Sequence, residues 1–286
     1  MKRLIAAIQK PLQGIYATGE ATALTRLLVV KLLGFNDIDY FTKPAVTLTP
    51  AQQALLDEAL ARLMQHEPVQ YVLGDTDFCG LTFKVNPSVL IPRPETAELV
   101  EWIFQDLSER DASYAPRILD MGCGSGCIAI TLSHRLPAAQ VKGWDISPTA
   151  LLTAETNNRL NHTRVTFEKE DMLHISANTL LPHSFDLIVS NPPYITDSEK
   201  SNMEPQVTQW EPSTALYVPN DDPLLFYRAI ARASLTLLPA GGSLYFEINR
   251  AYGAQVCELL STFGFQNIHL RRDSYGNDRM IKATKP

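Results

Sequence analysis

Arg117-Ile118-Leu119-Asp120-Met121-Gly122-Cys123-Gly124-Ser125-Gly126, followed by the apolar run Cys127 to Leu136, decides the fold. An apolar strand, a glycine turn and a helix start in that order form the first unit of a nucleotide-binding α/β sheet, where backbone must come close to a ligand. The glycines alternate strictly, as Gly122, Gly124 and Gly126. A dinucleotide site wants G-x-G-x-x-G so that a pyrophosphate rests on the helix N-terminus. Strict alternation suits a ligand without phosphate. Working outward, the next strand, Val141 to Trp144, ends in Asp145, a carboxylate placed to accept hydrogen bonds from both hydroxyls of a ribose. Val165-Thr166-Phe167-Glu168 then leads to Asp171-Met172, a third strand end suited to an adenine, with an apolar methionine against its face. Alone, the glycines read as a tight turn, Asp145 as a helix cap before Ser147-Pro148, and Met172 as core. Together, at successive strand ends, they read as one site, because ligands of such sheets bind outside the carboxyl ends of the strands.

A fourth strand, Phe185-Asp186-Leu187-Ile188-Val189-Ser190, closes with Asn191-Pro192-Pro193-Tyr194. The Asn191 side-chain oxygen is an acceptor, and the prolines contribute carbonyls with no competing N–H. Such a set can hold a planar NH2 group by its hydrogens and leave its lone pair pointing outward. Tyr194 adds an aromatic wall on which a flat group can stack. The bland reading is a strand ending in a proline turn. The position of the tetrapeptide downstream of the glycine loop, in the right order, favours the pocket.

These residues resemble the S-adenosylmethionine-dependent methyltransferases of the seven-strand class, and specifically the release-factor glutamine N5-methyltransferases of the PrmC/HemK type. The resemblance covers nearly the whole chain. Three further segments carry it: Glu67-Pro68-Val69-Gln70-Tyr71-Val72-Leu73-Gly74, Phe78-Cys79-Gly80-Leu81-Thr82-Phe83-Lys84-Val85 and Val89-Leu90-Ile91-Pro92-Arg93-Pro94-Glu95-Thr96. In one departure, the family usually has a second acidic residue directly after Glu95-Thr96, where this chain has Ala97. A role at that position does not transfer.

The resemblance implies S-adenosylmethionine as cofactor and, as substrate, the glutamine of the Gly-Gly-Gln motif in class 1 peptide-chain release factors. Candidate cofactor contacts are Asp120, Gly122, Cys123, Gly124, Ser125, Gly126, Asp145, Asp171, Met172 and Asn191. Asn191, Pro192, Pro193 and Tyr194 are the candidate substrate contacts, with Asn191, Pro192 and Tyr194 as the catalytic set. A sulfonium methyl is already activated, so the task is alignment of the nucleophile, and no metal is required. A carboxamide nitrogen is a poor nucleophile, and acceptors on its two hydrogens favour the charge that grows on it. The methylated, protonated amide is a strong acid and needs no dedicated base. Glu247, ending the fifth strand, is read as a capping or structural carboxylate rather than as that base. The six histidines show no metal-ligand spacing. The same tetrapeptide and glycine loop also occur in enzymes resembling adenine-N6 and guanine-N2 nucleic-acid methyltransferases, which form the competing reading. A non-catalytic factor-binding protein is a third, which the intact loop and Asp145 oppose.

Composition narrows the choice. With 25 basic and 31 acidic side chains among 286 residues, the formal charge is −6. That gives no overall attraction for phosphate backbones, so a nucleic-acid substrate is not expected. Cys79, Cys123, Cys127 and Cys257 lack paired C-x-x-C spacing and read as reduced thiols of a cytoplasmic protein. The opening Met1 to Ile8 imitates a signal peptide only until Gln9-Lys10-Pro11 ends the apolar run, and no run long enough to cross a membrane is present.

The organisation expected is α/β: a Rossmann-like seven-stranded sheet with an antiparallel C-terminal hairpin, preceded by a small all-helical domain and a β-hairpin linker. The helical domain covers 1–74 and, by the resemblance, helps dock the factor. The linker covers 75–94, and the methyltransferase domain 95–286. Leu24, Leu27, Leu28, Lys31 and Leu32 fit a helix that Gly34 ends, and Thr49-Pro50-Ala51-Gln52 has capping-box form. Leu55, Leu56, Ala59, Leu60 and Leu63 make the following stripe, read as core. Strands are expected near 117–120, 141–145, 165–168, 185–190, 242–247, 267–271 and 279–284. Helices are expected between the first five strands and over about 252–263. The short turn from Asp273 to Asp278 demands antiparallel pairing of the last two strands.

Overall fold

The computed structural model describes all residues except 111–113, 176–178 and 180. Two compact units emerge: Met1–Gly74 with Glu204–Trp210, and Asp75–Met203 with Glu211–Pro286.

The first unit is helical, with α1 (Lys2–Leu12), α2 (Thr18–Leu27), α3 (Asp37–Thr42), α4 (Pro50–Leu63) and α5 (Val69–Leu73). A π-helical turn, Leu28–Leu32, continues α2 before Gly34, whose φ of 75° ends it. The capping box at Thr49 is formed: Gln52 N donates to Thr49 Oγ1 at 3.2 Å, and Thr49 N donates to Gln52 Oε1 at 3.1 Å. Leu24, Leu28, Leu56, Ala59 and Leu63 share one buried cluster, whereas Leu55, expected in the α4 stripe, is 48% exposed. At 100° per residue it stands a full residue off the face that Leu56, Ala59 and Leu63 bury. The buried Glu67 is held by Arg62, with Nε 2.8 Å from Oε2 and Nη2 2.6 Å from Oε1. Arg62 Nη2 also reaches the Tyr71 carbonyl at 3.0 Å, tying α5 to the end of α4. Trp210, far along the chain, joins this unit through its indole N–H, 3.1 Å from the Gln65 carbonyl.

The second unit begins with the hairpin β1 (Asp75–Phe78) and β2 (Leu81–Lys84) and the helix α6 (Pro94–Ser108). Then come β3 (Arg117–Met121), α7 (Cys127–Arg135), β4 (Gln140–Asp145), α8 (Pro148–Leu160), β5 (Thr166–Lys169) and β6 (Leu187–Ser190). Short elements follow: β7 (Ile195–Thr196), α9 (Pro205–Trp210, of the first unit), α10 (Ser213–Leu216) and β8 (Tyr217–Val218). The unit closes with α11 (Leu225–Leu237), β9 (Ser243–Glu247), α12 (Gly253–Thr262), β10 (Gln266–Arg272) and β11 (Asp278–Thr284). Seven strands form one sheet in the order β10-β11-β9-β6-β3-β4-β5. Pairing is parallel from β9 to β5 and antiparallel for β11 with β9 and β10, as the short last turn requires. The chain runs outward from β3 through β4 to β5, then returns to the other side of β3 as β6. The crevice that ligands use opens at such a reversal.

Alternate strand residues face opposite layers. Leu119, Ile188, Leu244, Phe246 and Ile281 pack with Ile230 and Leu237 of α11 and Val256 and Leu260 of α12. Ile118, Leu187, Val189, Tyr245 and Met280 pack with Leu99 and Ile103 of α6 and Ile128 and Leu132 of α7. With both faces covered, the strands read as continuous apolar runs, and each fully buried Leu, Ile or Phe contributes about 1.5–3 kcal/mol. Between β5 and β6 a helix was expected, but the described residues there are turns, and 176–178 and 180 lie outside the described residues. Pro182 and the Asx-type bond from Leu173 N to Asp171 Oδ1, 2.9 Å, favour turns instead. The hairpin β1–β2 is anchored on α8: Lys84 N donates to Asn157 Oδ1 at 2.6 Å, and Asn157 Nδ2 returns to Lys84 O at 3.0 Å.

Candidate active site

The carboxyl ends of β3 and β4 are laced together first. Gly122 N and Cys123 N both donate to the Trp144 carbonyl, at 2.8 and 2.9 Å, and Ser190 Oγ at the end of β6 donates to Met121 O at 2.6 Å. Asn157 Nδ2, which already holds the hairpin, donates to Ser125 O at 2.9 Å. Asp145 shapes the loop from the next strand: Gly124 N donates to Oδ2 at 2.8 Å and Ser147 N to Oδ1 at 2.9 Å. Burial pushes the Asp145 pKa up, and these backbone bonds oppose the rise.

A cavity of ≈ 360 Å³ opens over these strand ends, lined by Gly122, Cys123, Gly124, Ser125, Asp145, Asp171, Met172, Asn191 and Pro193 among others. That volume lies within the range of small-molecule sites. Gly122 is favoured by a φ of +76°, and Met172 Cε, the terminal methyl of a flexible side chain, would have to move from 2.7 Å of an added Cβ. At Gly124 an added Cβ would meet nothing within 4 Å, so the loop leaves open space there. Ile146, Leu173 and Phe226 supply apolar wall. Asp171 holds Leu173 N at 2.9 Å and His174 Nδ1 at 2.9 Å. Burial raises its pKa, but those hydrogen bonds outweigh it and leave the carboxyl below the usual range.

Other expected contacts lie elsewhere. Asp120 is fully buried and does not line the cavity. Its Oδ2 accepts a hydrogen bond at 3.2 Å from the N–H of Ala129, the third residue of α7. The N-cap of that helix is Gly126, which has no side chain to offer. Asp120 therefore caps the helix from the strand below, its Oδ2 taking the place of the acceptor that a side chain at the N-cap would supply. Its Oδ1 has no partner among the described residues, and burial pushes its pKa up to about 7. Gly126 is also off the cavity, since its space is taken by Ile130, Phe167 and Ala154. Pro192 and Tyr194 likewise do not line it. The wall expected of Tyr194 is turned aside, because its hydroxyl donates to Glu247 Oε1 at 3.1 Å.

Asn191 has a partner that sequence reading did not foresee. Its Nδ2 donates to Thr96 Oγ1 at 3.2 Å, and Thr96 Oγ1 donates to Glu247 Oε2 at 2.6 Å. Glu247 is buried at the end of β9. Burial raises its pKa, opposed by the hydrogen bonds from Thr96 and Tyr194 and by the charge of Arg279. Thr96 ends the segment Val89 to Thr96, yet nothing local marks it as a partner of Asn191. Arg93 lines the cavity and is bound to the buried Glu211.

The lining tests which ligand fits. Asp145, Glu170 and Asp171 face the cavity, and Arg93, already paired, is its cation. Such a field repels phosphate and favours a cationic ligand with hydroxyls and an apolar base. S-adenosylmethionine, a sulfonium without phosphate, fits this donor set. Among the described residues no helix is long and apolar enough to cross a membrane.

Comparison with known proteins gives the same answer. The PrmC N-terminal domain model matches residues 4–74, and the methyltransferase small domain model matches residues 101–209. The chain is 44% identical to the release factor glutamine methyltransferase of Bacteroides thetaiotaomicron, over 100% of each chain. It is 44% identical to that of Flavobacterium psychrophilum, over 86% of this chain and 85% of the relative. With that of Geobacter sulfurreducens it shares 37% identity, over 90% and 87%. A methyltransferase from Pyrococcus furiosus, 16% identical, has the same fold with a TM-score of 0.51, over 83% of this chain and 99% of that one. Sheet order, cavity and full-length likeness agree, and the chain belongs to the release factor glutamine methyltransferase family.

Proposed function

We propose that this protein binds S-adenosylmethionine in the cavity over β3, β4 and β6 and methylates the side-chain amide nitrogen, N5, of the glutamine in the Gly-Gly-Gln motif of class 1 peptide-chain release factors. The observation that carries the reading is Asn191. It lines the cavity with Gly124 and Asp145, its NH2 is committed to Thr96, and among the described residues no donor reaches its Oδ1. An acceptor therefore stands where an incoming amide NH2 would be held.

When bound, S-adenosylmethionine supplies a methyl group on a sulfonium, already activated for displacement. Asp145 is the residue to hold the ribose hydroxyls, since each carboxylate oxygen keeps a lone pair beyond its backbone bond. Met172 gives the base an apolar face and Asp171 an acceptor. Asn191 Oδ1 accepts one hydrogen of the glutamine NH2; Pro192 does not line the cavity, and its carbonyl, adjacent to Asn191 in the chain, is the acceptor assigned to the other. Together they draw charge onto the nitrogen as it becomes a nucleophile, a preorganised electrostatic effect. The released proton passes to water. Tyr194 then acts from behind the site, through Glu247, rather than as a stacking wall. Release factors work at the ribosome, so the cytoplasm is the compartment in which the substrate occurs. The test is mass spectrometry of a release factor incubated with this protein and S-adenosylmethionine. A gain of one methyl on the Gly-Gly-Gln glutamine is expected, and Asn191→Ala lowers single-turnover rates by about 10²–10³. Methylation of nucleic acid instead of the factor would overturn the reading.

A further inference from the structure

Glu247 stands outside the cavity, 1% exposed, with both carboxylate oxygens engaged as acceptors. Thr96 Oγ1 donates to Oε2 at 2.6 Å and the Tyr194 hydroxyl to Oε1 at 3.1 Å. A hydroxyl has a single hydrogen. Once Thr96 gives it to Glu247, only lone pairs remain for Asn191. The Asn191 amide must then meet Thr96 with its NH2 end, as it does at 3.2 Å, and its oxygen is left for the cavity. The two ends of an asparagine amide have the same size and shape, so packing alone does not choose between them. The reversed amide would set NH2 against the NH2 of a substrate, two donors facing each other.

We infer that Glu247 is a positioning residue: through the Thr96 hydroxyl it sets the amide of Asn191 with the oxygen, not the NH2, toward the reacting nitrogen, and through the Tyr194 hydroxyl it holds the other end of the same tetrapeptide. The inference deepens the proposed function and rests on it for the role of Asn191. A carboxylate is specific to this task because it can only accept. Glutamine has the same shape, but its NH2 can donate to Thr96 Oγ1, which frees the Thr96 hydrogen to meet Asn191 Oδ1 and turn the amide round.

The test compares Glu247→Gln, Thr96→Val, Thr96→Ser and the double variant Thr96→Val/Glu247→Gln in full-length protein, with a class 1 release factor and S-adenosylmethionine. Glu247→Gln lowers kcat by about 10–100-fold, with KM for the factor and the S-adenosylmethionine Kd near wild type, the pattern of a loss felt only in the transition state. Thr96→Val falls as far, Thr96→Ser rescues most of the rate, and the double variant falls no further, because members of one chain of contacts do not add. A second readout needs no turnover. In ligand-free protein labelled with ¹⁵N-asparagine, the Asn191 side-chain NH2 resonances of Glu247→Gln move away from their wild-type positions as the Thr96 partner changes. A folded Glu247→Gln with wild-type kcat, unmoved Asn191 resonances or additive double-variant losses would overturn the inference. If Glu247→Gln does not fold, equal rates for Thr96→Val and Thr96→Ser overturn it as well. If wild-type protein leaves the factor unmethylated, the proposed function fails, and the resonances still judge the chain of hydrogen bonds.

Discussion

Gly126→Ala separates the two demands that the alternating glycines meet. Gly126 has a φ of +78°, and an added Cβ would stand 2.9 Å from Ile130 Cδ1, 3.1 Å from Phe167 Cζ and 3.3 Å from Ala154 Cβ. The left-handed conformation costs an L-residue roughly 1–2 kcal/mol. Overpacking a filled site costs about 1–3 kcal/mol more, since the end of the Ile130 side chain must swing away and Phe167 and Ala154, on other elements, must also give. The expected loss is about 2–5 kcal/mol, or about 5–15 °C in Tm for a unit of this size. Gly124→Ala is the control: its φ is +53° and nothing lies within 4 Å, so only the backbone cost of roughly 1–2 kcal/mol applies. Its Cβ enters the cavity, and S-adenosylmethionine affinity falls instead. Urea unfolding followed by Trp102 and Trp144, both in the second unit, measures the first effect, and calorimetry measures the second. Equal destabilisation by the two substitutions would refute the assignment of Gly126 to helix–sheet packing.

Three further outcomes are expected. Asp145→Ala weakens S-adenosylmethionine binding by about 1.5–3 kcal/mol, the worth of hydrogen bonds to a charged group, and unchanged calorimetric affinity would remove Asp145 from the site. Asp120, raised to about 7, is protonated in the folded protein between roughly pH 4 and 7 while the unfolded chain has already ionised. Its contribution to stability is therefore lost as pH rises through that window, by up to about 4 kcal/mol. Asp120→Asn flattens this slope in denaturant titrations at pH 5 and pH 8, and parallel slopes for both proteins would count against the shift. Arg62→Ala strands Glu67, which is 5% exposed, and destabilises the first unit by about 3 kcal/mol, the lower end for a broken buried pair. Unfolding followed by Trp210 fluorescence reports it.

Much was legible in the sequence because it is local. The capping box at Thr49, the hairpin β1–β2 and the strand–glycine–helix unit each lie within a few residues, where hydrogen-bond geometry and allowed φ values leave little choice. The positions of Asp145, Asp171 and Asn191 at strand ends followed from the order of apolar runs, since parallel strands bring their carboxyl ends to one side. The expected helix between β5 and β6 failed where chain-wide periodicity was extrapolated into a stretch with turn chemistry of its own.

The tertiary structure decided the rest, in part across long sequence separations. Thr96 and Glu247 are 151 residues apart, and only the place of β9 beside β6 in the sheet brings the carboxylate behind Asn191. Asp120 looked like a ligand contact, but alternation along β3 turns it under the loop, where a helix without a capping side chain finds in it an acceptor for Ala129 N. Trp210 and Gln65 stand 145 residues apart and meet inside the first unit, where the indole N–H satisfies the Gln65 carbonyl. Sequence sets which groups a residue carries and how its neighbours bend. Which buried donor meets which acceptor is set by the global packing, because a polar group withdrawn from water must take whatever partner the fold delivers to it.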